Sequence, residues 1–146
     1  MKLLLLFMAA ILMAGCNTGK DGDQQAIEAA EKWADAYFNC DFKDAGNYVT
    51  QESQKWLLYA ASNTTEQELK LLQDAGGAYA KASDWFEEAN DTMRLITLTV
   101  TNFLTAQQQT PTLTKEGTVK VVVIKRGNSW QVRMAGLPQN GMQSHD

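Results

Sequence analysis

The sequence predicts one α+β domain, with N-terminal helices packed on a face of a curved antiparallel sheet of about four strands. Three observations carry that prediction. Apolar residues recur every three or four positions through the first half of the folded part, apolar residues alternate with threonine in the second half, and the pair Gly76-Gly77 divides the two. The chain has 146 residues, the size of one domain once an export segment is set aside. A chain of that length buries a core without disulfides or a metal as staples.

Residues 1–15 read as an export signal. One positive charge, Lys2, precedes the apolar run from Leu3 to Leu12, which is too short to cross about 30 Å of hydrocarbon as a mature helix. Met13-Ala14-Gly15-Cys16 resembles the lipobox of bacterial lipoproteins, with Met13 where Leu is commoner. The resemblance implies cleavage before Cys16 and lipid on its thiol. It also implies attachment to a membrane through that lipid, in the bacterial cell envelope at the outer membrane, with the periplasmic and surface faces both open. Acyl chains contribute roughly 0.8 kcal/mol per buried methylene, so they anchor a chain without any membrane-spanning helix. Residues 16–23 are polar with two glycines and read as a flexible tether. Within them Lys20-Asp21 and Asp23 resemble the acidic tags that direct some lipoproteins to the cell surface.

Without Lys2 the chain carries 12 basic against 17 acidic side chains, a net charge near −5. That sign argues against nucleic acid, which needs a basic face to release counterions. The dense basic cluster Lys120, Lys125 and Arg126, with Arg133 further on, reads as the solvated side of a strand pair. Once Cys16 is acylated only Cys40 remains, so no intramolecular disulfide forms. Cys40 reads either as a small half-buried apolar residue or as a reactive thiol.

The domain spans residues 24–137. Over 24–38, Ile27, Ala30, Trp33, Ala34, Tyr37 and Phe38 form one stripe of an amphipathic helix, with Glu28, Glu31, Lys32 and Asp35 toward water and Asp23 as its cap. Asp41, answered three residues later by Asp44, opens a shorter helix with Phe42, Ala45 and Val49 inward. Thr50 starts a third helix, bearing Trp56, Leu57 and Ala60. Thr65 and Glu68 have capping-box spacing ahead of Leu69, Leu71 and Leu72, and Gly76-Gly77, tolerant of left-handed backbone, ends that helix.

After the glycines residues 78–87 read as a strand by position but as helix by their Ala and Glu content, and both readings stay open. Asn90-Asp91 turns into a strand over 93–104, where Ile96, Leu98 and Val100 alternate with Thr97, Thr99 and Thr101. Residues 107–111 are a polar connection. Strands over 118–125 and 130–134 then form a hairpin across Arg126-Gly127-Asn128-Ser129. Trp33, Phe38, Ile96, Leu98, Val100 and Val132 are expected inside, and the polar tail 138–146 is expected to be disordered.

The helix ending Ala36-Tyr37-Phe38, the Asp41-Phe42-x-x-Ala45 step, the strand ending Asn102-Phe103-Leu104 and the closing Gly-Asn-Ser-Trp130-x-Val132 hairpin resemble the cystatin-like, nuclear-transport-factor-2-like lipoproteins of unknown function. The resemblance covers residues 24–136. It implies a cystatin-like roll, a sheet bent around the first helix to leave a cone-shaped pocket. Different members use that pocket for catalysis, ligand binding, dimerisation or merely as core, so the fold does not fix function.

Members resembling ketosteroid isomerase and polyketide cyclases hold a carboxylate base and tyrosine or acid donors in an apolar cavity. By that resemblance Asp84 is the candidate base and Tyr37 or Tyr48 the donor. Each also has a structural reading: Tyr37 continues its helix stripe, Tyr48 packs beside Val49, and Asp84 is an exposed strand residue. Arg94 and Asn102 share the side of Ile96, Leu98, Val100 and Leu104 at the two ends of that row, as a pocket rim or as solvated strand ends. Trp33, Trp56, Trp85 and Trp130 read as core, although Trp85 beside Phe86 puts an aromatic on each strand face and leaves one for a partner. Tyr37, Tyr48, Asp84, Trp85, Arg94 and Asn102 are therefore the candidate ligand pocket.

His145, the single histidine, lies in the tail. With no ligand spacing among Cys, His and acidic residues, and Glu87-Glu88 on opposite sides of a strand, no metal and no cofactor is expected. Gly76-Gly77 lacks the lysine and the following helix of a phosphate loop. Asp91-Thr92-Met93 resembles the O-glycosylation acceptor of exported proteins in some anaerobic Gram-negative bacteria, which makes Thr92 a candidate modification site. The expected function is a membrane-anchored binding or assembly module, not an enzyme, whose partner is another protein or a second copy. The alternative is a small-molecule enzyme of the ketosteroid-isomerase or cyclase type.

Overall fold

The structure is a computed structural model and describes residues 20–105 and 110–138, without the side chains of residues 20, 21 and 84–89. Helix α1 (Lys20–Phe38) buries Ala26, Ala30, Trp33, Ala34 and Phe38. Three fully buried alanines along one stripe let the helix axis come close to the sheet, and the larger Trp33 and Phe38 fill what remains. The helix starts inside the segment the sequence assigns to the tether. Asp23 is therefore an internal residue and not a cap; its carboxylate pairs with Arg94 at 3.0 Å.

Asp41 caps α2 (Phe42–Ala45) by accepting the Asp44 N–H. A 3₁₀ turn, Gly46–Tyr48, follows. Thr50 does not open an α-helix directly. A second 3₁₀ turn, Gln51–Ser53, precedes α3 (Gln54–Asn63), and Thr50 is buried with its hydroxyl 2.6 Å from that of Ser53. The capping box is present at α4 (Glu66–Asp74): Glu68 N–H donates to the Thr65 hydroxyl and Thr65 N–H to the Glu68 carboxylate. Gly76 and Gly77 end this helix at φ 85° and 86°, a region that costs glycine little.

The four strands are β1 (Tyr79–Asn90), β2 (Met93–Leu104), β3 (Leu113–Arg126) and β4 (Ser129–Arg133), antiparallel in the order β1-β2-β3-β4. Residues 79–90 are strand despite their Ala and Glu content, and β3 starts five residues before the expected position 118. Between Ala82 and Phe86 four steps of β1 face two of β2, from Leu98 to Ile96. Such bulges bend a strand and help the sheet curve round α1. The expected hairpin is present, with Arg126 paired to Ser129 and Gly127 at φ 63°.

The six residues expected inside are all buried. Pro138, expected in the tail, is buried as well, and residues 139–146 lie outside the described residues. Beside β4, Thr50 N–H donates to Val132 C=O at 3.0 Å and Met134 N–H to the Ser53 hydroxyl at 2.8 Å. The chain entering α3 thus satisfies backbone groups along that side of the sheet.

Candidate functional site

Glu31, Asp35 and Asn39 stand four residues apart on α1, one above another on a single face. That face is turned to the free edge of β1. The Glu31 carboxylate accepts the Ala82 N–H at 2.9 Å, Asp35 accepts Ala80 N–H at 3.1 Å, and Asn39 Oδ1 accepts Ala78 N–H at 2.8 Å. Asn39 Nδ2 donates in return to Ala78 C=O at 2.9 Å, so its amide pairs with Ala78 as a strand residue would. A Cβ on Gly77 would stand 2.9 Å from Asn39 Oδ1; this glycine is required by its φ and by the close approach together. Partial burial raises the Asp35 carboxyl above the usual range, opposed by the Ala80 N–H and reinforced by the neighbouring Glu31.

Two shallow grooves run along the flank of the same helix. One, of about 310 Å³, is lined by Lys32, Asp35, Ala36, Asn39, Asp41, Asp44 and Tyr48. The other, of about 240 Å³, is lined by Gln25, Glu28, Ala29, Lys32, Tyr48, Asn128, Ser129 and Trp130. Lys32 and Tyr48 belong to both. The two grooves together offer one cation, carboxylates and amides on both sides, hydroxyl groups and aromatic rings. That set suits recognition of a polar group by hydrogen bonds and charge. Among the described residues no group of three or more His, Cys, Asp or Glu is arranged to hold a metal ion, and no helix is long and apolar enough to cross a membrane.

The space between α1 and the sheet holds an aromatic cluster. Tyr37 stacks on Trp33 at 5.1 Å and meets Phe42 edge-on at 5.5 Å, and Phe38 meets Phe103 edge-on at 5.5 Å. Burial drives the Tyr37 phenol well above its usual pKa, with the Cys40 thiol adding to the effect. Trp33 Nε1 and Trp130 Nε1 are buried with no acceptor among the described residues.

Among the sequence-predicted pocket residues whose side chains are described, Tyr37, Tyr48, Arg94 and Asn102 do not converge. Tyr37 sits in the aromatic cluster while Tyr48 lines the outer grooves. Arg94 is neither a rim nor a solvated strand end. It is buried, its guanidinium donates to Asp23, Asn90 C=O and Met93 C=O, and it lies 5.2 Å from the centroid of the Trp130 ring. Asn102, at the far end of β2, is exposed at φ 54°. The alternation breaks there, and Phe103 turns inward in place of the expected 102 and 104. Asp84 and Trp85 lie in β1, but their side chains are outside the description. Thr92 is exposed at the β1–β2 turn, its hydroxyl donating to Asn90 Oδ1 at 3.0 Å. Cys16 and His145 lie outside the described residues.

The sequence reads Glu31, Lys32 and Asp35 as the water-facing side of the helix, whereas Glu31, Asp35 and Asn39 hold the edge of β1 and Lys32 lines both grooves. The four-residue spacing of Glu31, Asp35 and Asn39 was the available signal, masked by the ordinary reading of polar helix residues as a solvated face.

Helices on one face of a curved four-stranded antiparallel sheet define the nuclear-transport-factor-2-like fold. The chain is similar to a nuclear-transport-factor-2-like protein of unknown function from Shewanella oneidensis, with a TM-score of 0.50 and 10% identity over 76% of this chain and 93% of that one. It is also similar to a function-unknown protein from Mycobacterium tuberculosis, with a TM-score of 0.50 and 12% identity over 86% of this chain and 78% of that one. At these identities the likeness is one of fold. No protein-family model and no curated protein matches the sequence.

Proposed function

We propose that the protein is a lipid-anchored binding or assembly module of the bacterial envelope that engages its partner along the outer flank of α1. The observation that carries this reading is the division of the domain. Aromatic side chains occupy the space where enzymes of this fold keep a cavity, whereas the polar grooves sharing Lys32 and Tyr48 lie outside, open to a macromolecule. The lipobox-like Met13-Ala14-Gly15-Cys16 supports attachment through Cys16, and a tethered domain meets partners at high effective concentration near its membrane.

The experiment is site-specific photocrosslinking in intact cells, with p-benzoylphenylalanine in place of Tyr48. A discrete crosslinked protein that is lost in Lys32→Glu is expected. Absence of any adduct, together with turnover of a small molecule that disappears in Asp84→Asn, would overturn the binding reading in favour of an enzyme. Mass spectrometry of the membrane fraction is expected to find acyl chains on Cys16, and Cys16→Ala is expected to release the protein.

A further inference from the structure

The end of the domain that meets the membrane follows from where α1 begins. Helix α1 starts at Lys20, four residue steps after Cys16. Whatever conformation those steps take, they span at most roughly 14 Å. The helix itself has 19 residues and is about 28 Å long. If Cys16 carries lipid, as the proposed function holds, the first turn of α1 is confined near the headgroups while its other end is free to stand a helix length away.

The first turn of α1 does not stand alone at that end. Asp23 is ion-paired with Arg94, whose guanidinium also holds the carbonyls of Asn90 and Met93, so the β1–β2 turn is fixed beside it. Gln25 and Glu28 share a groove with Asn128 and Ser129, which places the β3–β4 turn there as well. Both hairpin tips and the helix start therefore form one end. Asn39, Gly77 and Phe103 cluster with the C-terminus of α1 at the other.

The geometry points to the hairpin-tip end as a bilayer-docking surface, with Lys125, Arg126 and Asn128 against anionic headgroups. The β3–β4 tip exposes Lys125, Arg126 and Asn128; Arg126 is ion-paired with Glu52 at 2.7 Å and keeps 55% of its side chain exposed, and Asp91 is exposed at the neighbouring turn. Helix α4 carries Glu66, Glu68 and Asp74 against one cation, Lys70, which pairs with Asp74 at 3.1 Å, and its end is bonded through Gly77 N–H to Leu72 C=O beside Asn39 at the opposite pole. An anionic leaflet attracts basic residues near its surface and repels the acidic pole. The end that carries α4 and the 76–77 link is thereby turned away from the lipid, and the α1 flank stays accessible from the side.

The test uses the full, lipidated chain in vesicles of phosphatidylethanolamine and phosphatidylglycerol. Photo-reactive p-benzoylphenylalanine replaces, in separate proteins, Asn128, Asp91 and Gln73, all exposed positions. Phospholipid adducts are expected at 128 and 91 and not at 73. The 128 adduct is expected to weaken when phosphatidylcholine replaces the anionic lipid, and in Lys125→Gln with Arg126→Gln. Intact mass of the same samples reports acylation of Cys16. Adducts at 73 equal to those at 128, or none at 128 and 91 in an acylated protein, overturn the orientation and leave the anchor standing. An unacylated chain overturns the anchor and the orientation together.

Discussion

Asn102 and Cys40 are the non-glycine residues with positive φ among those described, at 54° and 61°. An ordinary L-residue pays about 1–2 kcal/mol for that backbone, and asparagine less because its short amide tolerates it. At Asn102 this conformation turns Phe103 onto Phe38. Asn102→Gly is therefore expected to leave stability nearly unchanged, while Asn102→Val costs about 1–2 kcal/mol, measurable as a shift in urea midpoint. Cys40 follows Asn39 out of α1, and burial, with Glu68 nearby, pushes its thiol up to about 11. Roughly one thiol in ten thousand is then ionised at pH 7, so alkylation of the folded protein is expected to be slow and to become fast in denaturant. The folded pKa lies above the unfolded value of 9.0, so the stability contributed by the neutral thiol is complete below about pH 9 and lost as pH rises through 11. The Tyr37 phenol, also raised by burial, shifts with the same sign. Thermal melts are expected to decline above pH 9, and Cys40→Ser to remove the thiol's share of that decline.

At the scale of elements, the edge of β1 is closed by side chains of α1 and not by another strand. A free edge invites pairing with foreign strands, and natural sheets protect theirs. Asp35→Ala leaves the Ala80 N–H without its acceptor and is expected to cost about 1–3 kcal/mol, whereas Asp35→Asn keeps an oxygen in place and is expected to be tolerated. Amide hydrogen exchange at Ala78, Ala80 and Ala82 reads the difference directly. Arg94 ties the other end of α1 to the sheet, its side chain 9% exposed against 35% for Asp23. Removing the buried member of such a pair strands more than removing the exposed one. Arg94→Met is expected to cost about 2–3 kcal/mol and Asp23→Asn about 1, again by urea unfolding. These two elements also show what the sequence reveals and what it hides. The Thr-x-x-Glu cap, the Gly76-Gly77 stop, the Ile96-Leu98-Val100 alternation and the Gly127-Asn128 hairpin are local signals, and each lies where it was read. The strand at 79–90 depends on bonds to a helix about 45 residues away, which no local propensity records. For Arg94 the sequence leaves a pocket rim and a solvated strand end both open; it is distant partners, Asp23 and Trp130, that help to bury it.

For the whole molecule, the question is whether the space under α1 is a pocket or a core. Trp33 is 1% exposed, Phe103 5% and Phe38 8%; Phe38 meets both other rings edge-on, and Tyr37 stacks on Trp33. Closely packed rings leave an apolar ligand nothing to enter. Phe103→Ala removes the ring that the sheet contributes to this cluster, against Phe38, and is expected to lower stability by about 3–5 kcal/mol, the lost transfer energy plus that of the space left behind. That space would be apolar, and an apolar void of such size stays dry and accepts a molecule like benzene. A ligand that binds only the folded state raises the melting temperature in proportion to the logarithm of its concentration. Benzene is therefore expected to raise the melting temperature of Phe103→Ala and to leave that of the wild type unchanged. Stabilisation of the wild type by benzene or a larger apolar ring would mean that the aromatic cluster opens, and would return the interior to consideration as a site for small-molecule chemistry. A wild type indifferent to such ligands leaves the flank of α1 as the surface on which function is to be sought.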